Sequence, residues 1–540
     1  MIIDNFYDEI DKSHFYIGMI SQVYRESCVI QVENLSWLAH RKIKLETLIP
    51  NTINYYVIID SVQGLFIGEI FQSKVSNSDS VHDSMNNGIT ENVYPEVSVE
   101  IISVMRPGDT KFKLAGFQTV GITDKVYIAN QKIIKEYLYS IEINHENEET
   151  LLSSFSKFSN LQNQEINLKP STLFDRHIIA IGTTNSGKST SSLSILDKLV
   201  KNQKKILLID PTGEYSDAFS DSEISKLKLG IDTVLSVGEV STQQWAMLFE
   251  TNDATQPAIL AEAIKSLRFQ KKTGQTGIYR KANQAVTKVD SDMASVTVND
   301  KNFILSDLTE QIAAETNKMG GSAANKIYVQ NDFNFNSNQW LVQKVQYKLN
   351  NTSFANFFSD DSTKKNIMNE LDNFSSKENS SLYINASEIG TADGIGGMII
   401  DLISNYLINK QKDKIQPFVL FIDEVHRYTK TSSSETNYYT GLTSIAREGR
   451  KKGIFLFLTS QSPQDVSGIL LSQIGTLLVH RLTHPEELKA IQNHLSMNKV
   501  GQIRKLNQGE AILASINLLQ DIHLKVDKCN RLHNNKTPLL

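Results

Sequence analysis

His177-Ile178-Ile179-Ala180-Ile181 is followed without a break by Gly182-Thr183-Thr184-Asn185-Ser186-Gly187-Lys188-Ser189, and then by the periodic run Ser191–Val200. A short apolar run, a glycine-bounded polar loop and an amphipathic segment predict strand, loop and helix in that order. The loop fits G-x-x-x-x-G-K-[ST] without deviation. Its glycines let the backbone curl so that several N–H groups point inward, and the helix N-terminus adds partial positive charge. Such a loop cradles phosphates. Lys188 is expected at the β- and γ-phosphates, the Ser189 hydroxyl at a Mg²⁺ ion, and Thr190 toward the α-phosphate side.

Working outward, further apolar runs read as strands: Lys205–Ile209, Ser381–Ile384, Phe418–Ile422, Ile454–Leu458, Thr476–Val479 and Ala511–Ala514. Near-continuous apolar strands alternating with amphipathic helices predict a parallel-rich sheet covered on both faces, an α/β fold. Residues 251–375 break the alternation with polar, mostly helical sequence. Upstream, Phe15–Val23, Cys28–Val32, Tyr55–Ile59, Leu65–Val75 and Val97–Met105 are short β-rich runs with polar turns, which predicts a small barrel or sandwich. Residues 76–93, with Asn86-Asn87-Gly88, read as a loop. Residues 131–170 read as a polar hinge that includes His145-Glu146-Asn147-Glu148-Glu149.

Two more strand ends carry chemistry. Phe418–Ile422 runs into Asp423-Glu424, so Asp423 suits a hold on the metal and Glu424 the activation of water. Ile454–Leu458 runs into Thr459-Ser460-Gln461, and an amide at that tip can bond a γ-phosphate. Between them, Arg447 and Arg450 sit three residues apart on one helix face, just before Gly453. A helix end favours cations through its dipole; the sharper reading is an arginine finger. Asp423-Glu424-Val425-His426 also looks like a DExH box, but the Ser-Ala-Thr and Gln-x-x-Gly-Arg-x-Gly-Arg motifs expected with it do not occur. Gly394-Ile395-Gly396-Gly397 lacks the Rossmann spacing.

Composition narrows the class. The chain has 540 residues, 40% hydrophobic and 21% charged, with a net charge of −5. Two cysteines, Cys28 and Cys529, exclude a disulfide scaffold or a Cys-rich zinc module and suit a reducing, cytoplasmic setting. Nothing approaches the ~20 apolar residues of a membrane span, and the N-terminus does not read as a signal peptide. The acidic balance excludes a generally basic nucleic-acid coat but leaves room for a local channel. From Lys265 to Lys288 there are seven basic residues and no acid, with Phe269 and Tyr279 among them. These either grip phosphate in a pore or form a solvated face.

Together these residues resemble the HerA branch of the FtsK–HerA P-loop ATPases. Asp210-Pro211-Thr212-Gly213-Glu214-Tyr215 is similar to that branch's Asp-Pro-x-Gly-Glu-Tyr, and Asp423-Glu424-Val425-His426-Arg427-Tyr428 to its form of the Walker B strand. Ala446-Arg447-Glu448-Gly449-Arg450-Lys451 and Ser460-Gln461 follow in the expected order. The resemblance implies a HAS-like barrel over 1–130, a linker over 131–173 and a RecA-like ATPase core over 174–250 and 376–527. It leaves 251–375 as a helical insertion and 528–540 as a tail. It implies a homohexamer that binds ATP and Mg²⁺ at subunit interfaces and double-stranded DNA in its pore. The partner implied is a nuclease or another effector. Lys188 and Ser189 take the Walker A roles, Asp423 the metal, Glu424 the base and Gln461 the sensor. Arg447 or Arg450 is the finger, and Arg176 a second interfacial cation. The expected function is a DNA translocase or helicase in end processing or anti-phage defence. The alternative is a ring that mainly assembles and activates an effector such as a NAD-hydrolase-type subunit.

Overall fold

The computed structural model describes residues 2–39, 42–43, 46–47, 53–75, 78–88, 93–143, 149–159, 164–251, 255–322, 325–359, 361–389, 395–410, 416–429 and 441–534. His145–Glu148 and Gly394, singled out above, lie outside these residues. The chain divides into two compact units. One comprises Met1–Leu173 with Thr476–Asp527; the other comprises Phe174–Gly475 with Lys528–Leu540.

In the first unit six antiparallel strands close on themselves. The cycle runs Ser27–Val32, Tyr16–Val23, Lys125–Ile128, Tyr56–Ser61, Gly64–Lys74, Glu96–Met105 and back to Ser27–Val32. Closure leaves the barrel without open edges. Ile30, Val57, Ile59, Phe66, Val97, Val99 and Val126 are buried along one face of this closed sheet. Register shifts at Ile67/Gly68 and Ile70/Gln72 bend the longest pair. At Gly68 a Cβ would stand 2.4 Å from Val99 Cγ1, so no other residue fits there without displacement.

Three readings are corrected here. Ser78–Asn87, expected as loop, is a helix. Lys125–Ile128, which the strand pattern missed, completes the barrel between Tyr16–Val23 and Tyr56–Ser61. Thr476–Val479 and Glu510–Ser515 run antiparallel to each other, and Ile522–Val526 and Ser156–Phe158 extend that antiparallel sheet. Apolar strands buried on both faces look the same in either orientation, so sequence did not separate them from the parallel set.

The second unit is built on six parallel strands. In space their order is Ile178–Ile181, Ile454–Ser460, Phe418–Ile422, Lys205–Asp210, Ser381–Asn385, Ile224–Lys228. The first four named are fully or almost fully buried, which is why their sequences are apolar throughout. Every connection returns the chain to the same end of the sheet, so all the strand tips collect at one carboxyl edge, where α/β proteins place ligands. Residues 251–375 are mainly helices, among them Gln256–Lys272 and Asp332–Leu349, with one hairpin, Asn317–Ser322 on Asn325–Gln330. Among the described residues no helix is long and apolar enough to cross a membrane.

Candidate nucleotide site

The loop 182–187 leaves the strand Ile178–Ile181 and enters the helix Lys188–Lys201. Two residues in it take left-handed backbone conformations, Asn185 at φ 66° and Gly187 at φ 107°. Such conformations cluster where a loop is over-determined by its function. The Gly182 amide donates to the Ser460 carbonyl at 3.3 Å, so the loop starts against the tip of the neighbouring strand. The Ser186 hydroxyl is buried without a hydrogen-bond partner.

Four of the residues singled out by sequence meet at this edge. Lys188 Nζ donates to Glu424 Oε1 at 2.6 Å, with both side chains buried. Gln461 Nε2 donates to the same oxygen at 3.1 Å, and Thr184 Oγ1 donates to Gln461 Oε1 at 3.3 Å. His426 Nδ1 stands 3.1 Å from Glu424 Oε2. Burial pushes the Glu424 carboxyl upward, but His426, Lys188 and Gln461 outweigh it and hold the group down at about 2. Glu424 is therefore a carboxylate at neutral pH. Its backbone is also strained, at φ 49°.

Asp423 is the opposite case. Burial raises its carboxyl to about 7, helped by the Glu424 charge and opposed by a bond from Thr459. Thr459 links the two acids: the Glu424 amide donates to Thr459 Oγ1 at 2.8 Å, and that hydroxyl donates to Asp423 Oδ1 at 2.6 Å. Thr459 was read only as the start of a strand tip. Its role depends on the strands Phe418–Ile422 and Ile454–Ser460 being neighbours, a long-range fact.

Arg176, Arg447 and Arg450 are not brought to this cluster. They lie at the other end of the sheet. Arg450 Nε pairs with Asp175 Oδ1 at 3.0 Å, and the Arg176 carbonyl accepts from the Gly475 amide at 2.6 Å. Between them is His177, which sequence reasoning counted only as the start of a strand. It is buried, at φ 58°. Its Nε2 lies 3.0 Å from the Ala446 carbonyl, and its Nδ1 accepts from the Leu456 amide at 2.9 Å. The ring thus carries its proton on Nε2 and fastens the arginine-bearing helix Gly441–Glu448 to the strand beside the loop. Burial lowers its pKa, and Arg450 adds to that. The four-residue strand between the edges spans ~13 Å. No arginine of this end serves Lys188's cluster in the same chain.

The basic run 265–288 is answered from within the unit. Lys281 is buried between Glu315 at 2.7 Å and Glu262 at 3.0 Å. Lys272 pairs with Asp300, and Arg280 with Glu310. Phe269 and Tyr279 pack edge to face, 5.2 Å between centroids, against Val289 and Met293. The aromatics pack on this small core, and three of the seven cations, Lys272, Arg280 and Lys281, are paired with acids, while Lys271 and Lys288 are exposed.

The signature turn 210–215 is organised by one acid. Asp210 Oδ1 accepts from the amides of Thr212 and Gly213 and from the Thr212 hydroxyl, while Oδ2 accepts from the Tyr215 amide and the Tyr383 hydroxyl, all within 3.0 Å. Residues 528–534 strap this turn and its surroundings. Arg531 pairs with Asp197 at 2.6 Å and Glu223 at 2.7 Å and lies over the Phe219 ring. The Asn534 amide donates to the Glu214 carbonyl.

Comparison with known proteins agrees with the motifs. Residues 155–403 match the family model described as the central domain of helicase HerA. Probable helicase MJ1565 of Methanocaldococcus jannaschii is 26% identical over 373 residues, covering 67% of this chain and 64% of that protein. The DNA double-strand break repair helicase HerA of Sulfolobus acidocaldarius is 23% identical over 381 residues, covering 68% and 67%. The chain thus spans about two thirds of the length of the relatives it matches. Among solved structures, VirB4 of Thermoanaerobacter pseudethanolicus is similar at a TM-score of 0.47 and 13% identity, covering 72% of this chain and 98% of that one. The bacterial conjugative coupling protein TrwB is similar at 0.46 and 12%, covering 72% and 93%.

Proposed function

From a chain that carries a HerA-type central domain, we infer an ATP-dependent, ring-forming DNA translocase or helicase motor. The observation that carries this is the meeting of Lys188, Gln461 and Thr184 around Glu424 at the carboxyl edge. Lys188 and Gln461 both donate to the same oxygen of the buried Glu424 carboxylate, so the phosphate-binding and water-activating groups are coupled before any substrate arrives. Lys188 cannot serve Glu424 and a γ-phosphate equally. As it moves to phosphate, the carboxylate loses its nearest cation, burial gains weight, and its proton affinity rises toward that of a working base. Gln461 is placed to follow the same phosphate.

The residues also fit Mg²⁺. Among the described residues there is no cluster of three or more His, Cys, Asp or Glu for a tightly chelated metal. Ser189 and Asp423 offer hard oxygen donors of the kind Mg²⁺ takes alongside substrate phosphates. When bound there the ion supplies charge neutralisation on the phosphates. Arg447 or Arg450, with Arg176, would complete the site of the next subunit in a homohexamer, since none reaches its own. A ring of this type would pass double-stranded DNA and work with a nuclease or another effector, in end processing or anti-phage defence.

The test is ATP turnover by the purified chain with and without duplex DNA, alongside native mass spectrometry. DNA-stimulated turnover by a hexamer is expected. Nucleotide binding with turnover that DNA never changes would overturn the motor reading in favour of an assembly platform.

A further inference from the structure

The turn after the paired acids brings back to them one side chain that the roles above leave unused. Three bonds set its path. The Glu424 amide donates to Thr459 Oγ1 at 2.8 Å, the Val425 amide to the Thr459 carbonyl at 2.8 Å, and the Arg427 amide to the Glu424 carbonyl at 2.9 Å. With Glu424 at φ 49°, the chain reverses at once, and the short helix His426–Thr429 begins beside the residue just passed. His426 Nδ1 then stands 3.1 Å from Glu424 Oε2. The two oxygens of Glu424 are thus shared unequally. Oε1 accepts from both Lys188 and Gln461, the side chains read above as partners of the γ-phosphate, while Oε2 has His426 at hydrogen-bond distance. A bound nucleotide competes for Lys188 and Gln461 and has no such claim on the ring. We propose that His426 is a positioning residue for Glu424, its Nδ1–H donating to Oε2 and keeping the carboxylate aimed while Oε1 exchanges its partners for the attacking water. The proposal rests on the nucleotide reading of this edge.

A glutamate needs such a hold. Its terminal torsion is broad and roughly two-fold, so a carboxylate released by its donors turns freely. A working base, by contrast, must keep one oxygen within hydrogen-bond reach of the proton it takes. The ring comes from a turn that cannot swing: Val425, between the two side chains, is fully buried, and Thr459 holds the backbone on the neighbouring strand. In the free chain Nδ1 and Oε2 are at contact distance but not aligned as a hydrogen bond, and neither atom has another hydrogen-bond partner among the described residues. Catalytic hydrogen bonds are often loose in this way before substrate and tighten in the complex. Here the tightening has a cause. While Lys188 and Gln461 pull on Oε1 they fix the plane of the carboxylate, and their departure to phosphate lets it turn Oε2 onto the ring.

The experiment measures ATP turnover, and binding of a fluorescent non-hydrolysable ATP analogue, in wild type, His426→Ala and His426→Asn. The asparagine puts an amide N–H where Nδ1 stands. His426→Ala is expected to lower kcat roughly 10–100-fold, as the loss of a bond to a charged group implies, with the Kd for the analogue unchanged. His426→Asn should recover most of the lost turnover. In a Glu424→Gln background, adding His426→Ala should slow the residual turnover no further, because the ring acts through the carboxylate. A folded His426→Ala with wild-type kcat overturns the proposal. So does a full further drop in the Glu424→Gln background, or an asparagine variant no faster than the alanine one. Independently of any variant, a crystal structure of the wild-type chain with the analogue should show Lys188 on phosphate and His426 Nδ1 bonded to Glu424 Oε2. An Oε2 turned away from the ring there overturns it. These failures leave the nucleotide reading standing, whereas wild type that neither binds nor hydrolyses ATP overturns that reading and this proposal with it.

Discussion

The two ends of the parallel sheet differ in how they spend charge. At the carboxyl edge, Lys188 and Glu424 are buried, Gln461 is half-buried and Thr184 is exposed, and the four are linked by hydrogen bonds. At the amino edge, Arg447 and Arg450 are exposed, at the end of the helix Gly441–Glu448 and in the turn after it, a helix anchored by buried Leu442 and Ile445, by Asp401 on the Gly441 amide and by the His177 ring. One edge is a closed circuit within the chain. The other presents cations outward from a rigid base. An ATPase that hydrolyses by charge stabilisation needs a cation beyond the γ-phosphate; Arg447 and Arg450 lie at the opposite end of the sheet from their own loop, while Arg427 is exposed one turn after Glu424 at the carboxyl edge. The lesson is that the sheet divides its charges, bonding those of one edge to each other and leaving arginines exposed at the other.

The contrast can be broken first at Lys188. Lys188→Ala should abolish productive nucleotide binding, measured by fluorescence titration. It should also lower stability by about 1–3 kcal/mol in denaturant unfolding, because buried Glu424 loses its ammonium partner and keeps only His426 and Gln461. If adding Glu424→Gln does not recover part of that stability, the pair is not the closed circuit described.

Arg447→Ala with Arg450→Ala should leave binding intact and slow hydrolysis on the order of 10³-fold. Mixing these chains with Glu424→Gln chains should restore some turnover, since an intact finger then meets an intact base. Demonstrably mixed rings with no rescue would make the amino edge structural. Glu424→Gln alone should bind ATP and hydrolyse it about 10²–10⁴-fold more slowly; turnover at the wild-type rate would remove it as base.

The smallest effect sharpens the picture of the amino edge. His177 is neutral in the folded chain because burial, then Arg450, oppose its protonation, with Asp175 acting the other way. Its folded pKa lies below the ordinary 6.5, so the unfolded chain binds the extra proton first. Stability should be complete above that value and fall as pH drops through it. His494 and His523 are lowered by burial too and share the slope. In His177→Asn the melting temperature should drop less between pH 7 and 5 than in wild type. An identical slope would mean that the ring does not hold the helix as a neutral bridge.

What could be read from sequence was what neighbours in the chain determine. The loop 182–189 encodes its own backbone shape, and paired acids after an apolar strand announce Asp423 and Glu424. Thr459 and His177 act across strand pairings that no local pattern shows. The run 265–288 stayed open between two readings for the same reason: the acids that answer it include Asp300, Glu310 and Glu315, which lie beyond its end. Ser78–Asn87 is helical although Ser, Asn and Asp prefer turns, so intrinsic propensity does not account for it.

The strap of residues 528–534 has a bearing on synthesis. The unit that holds the loop 182–189 is otherwise complete at Gly475, yet Arg531 and Asn534 belong to it. A ribosome adds roughly 5–20 residues each second, so the nascent chain waits several seconds between making Gly475 and delivering Arg531. During that interval Asp197 and Glu223 lack their guanidinium, and the back of Tyr215 lacks His533. A nonsense codon in this interval would release a product with every catalytic motif present and its final clasp missing, a defect that proteases can find where a motif search cannot.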